Sequence, residues 1–422
     1  MTFKELQVSN KILRALQDKN YSEPTPIQEK AIPVILNKDD VLGCAQTGTG
    51  KTAAFAIPII QVLDEYAETQ AYRPKIEALI VTPTRELAIQ IDDNIREYSK
   101  YTSLKHAVIY GGVKQFGQVE KLKKGVHILT ATPGRLLDLI SQKYIRLQDV
   151  KIFVLDEADR MLDMGFIHDI RKLLQLLPRK RQSLFFSATM PKNIVDLSKT
   201  ILYKPTKVEV SPVSSTAETI KQRVYMTNKS TKKDLLFHVI KQNEIKQVLL
   251  FSRTKHGADR IAKNLKRKHI NAAAIHGDKS QNQRQNALKQ FKAGQLRVLV
   301  ATDIAARGID IDKLQYVINY DIPNEPESYV HRIGRSGRAG ENGNAISLCD
   351  QEELTYLSDI EKLIKLKIEV VRDHPFPQTD KPMSVAEKKE FEKEKERKRQ
   401  EFFANRKKKM QGSGEKSFRN RQ

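Results

Sequence analysis

The chain has 422 residues, 39% hydrophobic and 30% charged, which is enough for two or three folded domains with their own cores and is unlike a disordered or membrane chain. A formal charge of +23 makes nucleic acid the first partner to test, because lysines and arginines that neutralise phosphates release counterions; a basic soluble protein, or one that binds acidic proteins, is the competing reading. Cys44 and Cys349 are too few for a disulfide framework or a four-ligand zinc site, and the longest apolar run, around residues 53–63, is broken by Pro58 and Gln61 short of the ~20 residues that span a bilayer.

The N-terminal residues hold an early acid, Glu5, and no apolar signal region, so the cytoplasm is the expected compartment. Residues 20–28 come next, where Tyr21 and the carboxamide of Gln28 offer an aromatic face and paired hydrogen bonds to an adenine edge. Taken alone, that segment is equally a Pro-rich turn before a helix. Strand-like residues 41–44 then run into Ala45-Gln46-Thr47-Gly48-Thr49-Gly50-Lys51-Thr52, which opens a helix. Its glycines let backbone N–H groups converge on phosphate, Lys51 is placed for the β- and γ-phosphates of ATP, and Thr52 for Mg²⁺. The general pattern begins with Gly where this chain has Ala45.

Further strands are predicted at 78–81, 127–130, 152–155 and 184–186. Residues 152–155 deliver Asp156-Glu157-Ala158-Asp159 to the carboxyl edge of a sheet. There Asp156 is placed to hold Mg²⁺ and Glu157 to orient and deprotonate an attacking water. Met161 and Met164 read as packing residues.

Small, polar residues 211–216 separate this block from a second. That block has predicted strands at 248–251, 272–275, 298–301, 317–320 and 345–348. Strands alternating with helices predict parallel sheets, with ligands in the crevice beyond the strands' carboxyl ends. The expected domains are 1–208, a hinge at 209–218, 219–370, and a charged tail at 371–422. From residue 381 on, 15 Lys or Arg face 7 Glu, a composition that cannot bury a core and serves either as a solubilising or as an RNA-tethering tail.

In this order the residues resemble the DEAD-box RNA helicases, over roughly residues 3–370. Tyr21 to Gln28, with Phe3 upstream, resembles the Q motif; Ala45 to Thr52 resembles motif I and Asp156 to Asp159 motif II. Pro83-Thr84-Arg85-Glu86-Leu87 is similar to motif Ia, Gly111-Gly112 to the glycine pair, Thr132-Pro133-Gly134-Arg135 to motif Ib and Ser187-Ala188-Thr189 to motif III. In the second block Leu250 to Thr254 resembles motif IV, Gln281 with Arg284 the QxxR element, Ala301 to Asp310 motif V and His331 to Arg338 motif VI. Asn20 and Ser252 are departures that leave the chemistry intact, and the overall texture is most similar to the bacterial RhlE-type branch.

The resemblance implies two RecA-like lobes that bind single-stranded RNA between them, hydrolyse ATP with RNA stimulation, and locally unwind short duplexes or remodel RNA–protein complexes. It implies Arg335 and Arg338 as arginine fingers, Asp303 on the ribose, and Ser187, Thr189 and His331 as the coupling between nucleotide state and lobe contact. RNA contacts carried over are Thr84, Arg85, Gly112, Thr132 and Arg135 on the first lobe, and Arg253, Gly277, Arg284 and Thr302 on the second. A monomer is expected, with ribosome-assembly or RNA-decay proteins as partners.

Overall fold

The computed structural model describes residues 1–45, 48–69, 74–210, 220–306, 311, 314–337, 343–380 and 397. They form two seven-stranded parallel sheets flanked by helices, as the alternation of strands and helices predicted. The first sheet contains β1 (Val41–Cys44), β2 (Ala78–Val81), β3 (His106–Ile109), β4 (Ile128–Ala131), β5 (Ile152–Leu155), β6 (Gln182–Ser187) and β7 (Thr206–Glu209), in the spatial order β3-β4-β2-β5-β6-β1-β7. The second contains β8 (Ile220–Met226), β9 (Val248–Phe251), β10 (Ala272–Ile275), β11 (Val298–Ala301), β12 (Tyr316–Asn319), β13 (Gly343–Cys349) and β14 (Glu369–Val371), ordered β10-β11-β9-β12-β13-β8-β14.

The central strands are apolar on both faces because helices cover both faces. Every residue of β2, β4, β5 and β6 is buried, as is every residue of β9 and β11. This topology puts chemistry on neighbouring strand ends. β6 lies between β5 and β1, so the loop after β1, the acids after β5 and Ser187 at the end of β6 emerge side by side.

The chain does not leave the second lobe at residue 370, where the tail was expected to begin. β14 runs to Val371, Phe376 packs on the lobe's core, and the His374 ring meets Tyr225 at a tilt of 58° with ring centres 5.4 Å apart. Asn228 then fastens Thr379, donating to its hydroxyl at 2.7 Å and accepting from its backbone N–H at 2.8 Å. These rings find apolar partners, which holds the chain to the lobe through Asp380. Residues 211–218 of the expected hinge, and the tail from 381 apart from Arg397, lie outside the described residues.

Candidate functional site

The loop after β1 is fixed at both ends. Ala45 donates its N–H to the Ser187 carbonyl at 3.1 Å, and Lys51 begins the helix Lys51–Thr69. Gly50 has φ +97°, and a β-carbon there would run into the Gln28 amide and the Thr25 hydroxyl, so only glycine fits. Gln28 is fully buried; its Nε2 donates to the Gly50 carbonyl at 3.0 Å and to the Tyr21 hydroxyl at 3.1 Å, and its Oε1 accepts from the Thr25 N–H at 2.9 Å. Tyr21 stacks on Phe3 with ring centres 5.7 Å apart. The carboxamide expected to face an adenine edge here spends both its N–H donors on the Tyr21 hydroxyl and the Gly50 carbonyl, and so ties the Pro-rich turn to the phosphate loop. Gln46 and Thr47 lie outside the described residues.

The Lys51 ammonium is buried and has no hydrogen-bond partner among the described residues. A buried cation in a glycine loop at a helix N-terminus suits a polyphosphate. Thr52 follows it on the same helix. Asp156, 2% exposed, has its carboxyl pushed up to about 6, chiefly by burial, with the Lys51 charge pulling down and Glu157 pushing up. Glu157 takes the left-handed φ of 54°, and Nη1 of buried Arg160 donates to both its carboxylate oxygens at 2.7 Å.

Asp159 connects motif II to motif III. Its Oδ2 accepts from the Ala188 N–H (3.2 Å), the Thr189 N–H (3.0 Å) and the Thr189 hydroxyl (3.1 Å), and its own N–H donates to the Ser187 hydroxyl at 3.3 Å. Burial alone would raise its carboxyl; Lys51, Arg160 and, from the second lobe, His331 hold it below the usual range. The two lobes are thus within electrostatic reach of each other here.

In the second lobe Arg332 is 1% exposed and grips Asp303 with both arms of its guanidinium, Nε to Oδ1 at 2.6 Å and Nη2 to Oδ2 at 2.7 Å. Its Nη1 donates to Asn319 and to the Asp321 carbonyl, and it lies 5.0 Å from the Phe251 ring centre. Arg332 was not singled out in the sequence; its place between His331 and Arg335 in motif VI was the available signal. Arg335 is 5% exposed and lines a small cavity with His331, Asp303, Arg332 and Arg160 of the first lobe. Arg338 and motif V residues 307–310 lie outside the described residues.

On the other side of the join, a cavity of about 560 Å³ is lined by Thr84, Arg85, Thr132 and Arg135 of the first lobe and by Gly277 and Arg284 of the second. Thr84 and Thr132 are the N-caps of the helices Arg85–Tyr98 and Pro133–Ser141, so two positive helix ends face this space. The Arg85 guanidinium packs so closely on Gly112, at φ +79°, that a side chain there would displace it. Glu86 closes the cavity floor: its Oε1 accepts from Gln281 Nε2 at 3.0 Å and its Oε2 pairs with Arg284 at 2.9 Å, across the lobes. In the sequence Glu86 is visible only as part of motif Ia, since sequence does not show which partner a lone acid meets.

Two residues expected to contact RNA do not line this cavity. Arg253 donates to the Ile322 carbonyl and to Glu353, both at 2.7 Å, outside the cavity lining. Thr302 follows β11, its N–H donating to the Ile275 carbonyl at 3.4 Å, and is likewise absent from that lining. Met161 is core as expected, but Met164 lines the cavity rather than packing inside, because the chain turns outward at Gly165 with φ +79°.

The DEAD/DEAH box helicase family model matches residues 25–197, and the helicase conserved C-terminal domain matches residues 231–340. The ATP-dependent RNA helicase CshA of Limosilactobacillus reuteri is 42% identical over 368 residues, covering 87% of this chain and 73% of that protein. Among solved structures, a DEAD box protein from Methanococcus jannaschii is 42% identical with a TM-score of 0.52, covering 88% of this chain and 99% of that one. S. cerevisiae Dbp5 bound to RNA and ADP BeF3 is only 31% identical, yet superposes with a TM-score of 0.76 over 88% of this chain and 95% of its own. The less similar sequence has the higher TM-score. Two lobes with a phosphate loop on one, Arg335 on the other and an arginine-lined cleft between them, together with these matches, establish that the chain belongs to the DEAD-box family of ATP-dependent RNA helicases.

Proposed function

We propose that in this RNA helicase the RNA itself completes the ATP site: a strand laid across the cleft holds the lobes together and so brings Arg335 and Arg338 to the nucleotide. The observation that carries this is that the lobes meet on two sides at once. Glu86 reaches Gln281 and Arg284 on the cleft side, while Arg160 stands with His331 and Arg335 on the nucleotide side. Closing one contact closes the other.

The chemistry follows from the groups present. Phosphoryl transfer to water needs a base for the water and cations for the charge that develops on the phosphoryl oxygens. Glu157 is the base, its carboxylate aimed by Arg160 and by its left-handed backbone. Lys51 supplies charge from the first lobe, Arg335 and Arg338 from the second, and Asp303, oriented by Arg332, is available to a ribose hydroxyl. Among the described residues no three His, Cys, Asp or Glu stand together as a metal cage. Thr52 and Asp156 fit an ion that takes its remaining ligands from phosphate and water, as Mg²⁺ does. When bound, Mg²⁺ would neutralise charge on the β- and γ-phosphate oxygens.

RNA is held through sugar and phosphate by the hydroxyls, helix ends and arginines of the cleft, which positions a strand with little reading of bases. We further infer a cytoplasmic monomer that works beside ribosome-assembly or RNA-decay proteins. No described helix is long and apolar enough to cross a membrane. Within the family the RhlE-type branch is our reading of overall texture, to be decided against CshA by a phylogeny of full-length chains.

Glu157→Gln tests the mechanism. The amide keeps an acceptor for Arg160, so the fold and the binding of ATP and RNA are expected to persist, while RNA-stimulated phosphate release drops about a hundredfold or more. Turnover near that of the unsubstituted chain would refute the role given to Glu157.

A further inference from the structure

Beside the cleft, the first lobe leaves two large aromatic rings in water. Phe116, the first residue of the helix Phe116–Lys123, is 74% exposed, and Tyr144 is 45% exposed. The cleft does not use either one. Their segments are fastened together: Gln115 Nε2 donates to Gln142 Oε1 at 2.9 Å, and Gln142 Nε2 donates to Asp138 Oδ1 at 2.8 Å. The same loop is fastened to the cleft wall, because Arg135 donates to the Val113 carbonyl at 3.1 Å and to Gln118 Oε1 at 3.2 Å. Surface and cleft are therefore continuous.

The helix and the loops that carry these rings are also rich in exposed lysine. Lys114, Lys121, Lys124 and Lys143 are all exposed. Among the described residues the ion pairs here are Lys123 with Glu120 at 2.9 Å and Arg135 with Asp138 at 3.6 Å, so none of those four lysines has a carboxylate within 4.0 Å. Rings separated by an amide bridge and set among ammonium groups do not make the contiguous apolar patch on which a protein docks. They match a nucleic-acid strand, whose bases stack on aromatic faces while its phosphates follow cations.

We propose that single-stranded RNA leaving the cleft past the glycine pair continues over this face, with bases stacking on Phe116 and Tyr144 and phosphates following the four lysines. The site takes unpaired RNA of any sequence and lengthens the bound segment beyond the cleft. This rests on the cleft being where RNA binds, so the test separates the two.

Fluorescein-labelled uridine oligomers of six and fifteen nucleotides are titrated by anisotropy with the full chain and a non-hydrolysable ATP analogue. Replacing both exposed rings, Phe116→Ala with Tyr144→Ala, is expected to weaken the 15-mer about tenfold and to leave the hexamer within about twofold, since a stacked base contributes on that order. Replacing the four lysines by Gln flattens the salt dependence of the 15-mer alone. No loss for the 15-mer, or an equal loss for both lengths, overturns the proposal. Arg135→Glu is expected to weaken both oligomers. If it weakens neither, the cleft reading falls, and the extension falls with it.

Discussion

Asp156 shows how the site sets function against stability at a single residue. Its carboxyl is raised from the ordinary 3.8 to about 6 by burial that Lys51 only partly offsets. A carboxyl raised in the fold binds its proton more tightly there than in the unfolded chain, so ionising it costs stability, and the cost is complete above about pH 6 and absent below about pH 4. Asp156→Asn fixes the uncharged form. It is therefore expected to raise the melting temperature at pH 7.5, with a gain of up to about 3 kcal/mol that shrinks as pH falls through 6 and vanishes near 4, while ATP hydrolysis is lost. Melting curves between pH 4 and pH 8 check this. A melting temperature that falls at pH 7.5 would show that the Asp156 carboxylate holds Lys51 in place more than burial penalises it. In the unsubstituted chain Mg²⁺ and this proton compete for Asp156, so the apparent affinity for Mg²⁺ should weaken below about pH 6.

The same opposition appears between elements, where a glycine loop, a Pro-rich turn and a strand end fix one another. Gly50 sits against Gln28 with a backbone that other residues adopt only under strain. Gly50→Ala is expected to weaken ATP binding at least tenfold and to cost about 1 to 2 kcal/mol in stability, because a methyl group there displaces the buried amide. Gly117→Ala, whose added carbon meets nothing within 4 Å, is the control and should be neutral or slightly stabilising. Calorimetric titration with ATP and a melting curve for each chain compare the two.

Sequence legibility follows the same physics. β1, β2, β5, β9, β10 and β11 lie where the apolar runs put them, and β4 and β12 are displaced by one residue. Among the edge strands, β3, β7 and β14 escape prediction because their apolar runs are short or interrupted, with Val208 alone buried in β7 and nothing fully buried in β14, whereas the edge strand β10 is a continuous apolar run. β8 escapes for another reason, the polar Lys221, Gln222 and Arg223 interrupting its apolar pattern. Loops that carry the site were readable because phosphate chemistry restricts residue types tightly. Arg160, Arg332 and Gln118 were not, since each acts by a contact made through folding: with Glu157, with Asp303, and with Tyr110 and Arg135.

Across the whole molecule, the contact that converts RNA binding into hydrolysis has to be one that exists only when the lobes are together, and Glu86 meets that condition. Its side chain is 5% exposed and that of Arg284 is 11% exposed, so the pair is shielded from water by the closed arrangement itself. Once the lobes part, both groups are solvated and their attraction is small. Glu86→Gln leaves Arg284 shielded without a counter-charge in the closed form and costs nothing comparable in the open one, so the lobe equilibrium shifts toward open by at least about tenfold. The expected result is a tenfold or greater rise in the RNA concentration that gives half-maximal ATPase. Because Glu86 adjoins Arg85 in the cleft, a direct effect on RNA must be separated from an effect on closure. Exchanging the charges, Glu86→Arg together with Arg284→Glu, makes that separation: coupling between the lobes predicts partial recovery over either single change, with an interaction energy of about 1 kcal/mol or more in the double-mutant cycle. Strict additivity of the two single changes would mean that this pair does not hold the lobes, and that RNA must draw them together through its own contacts alone.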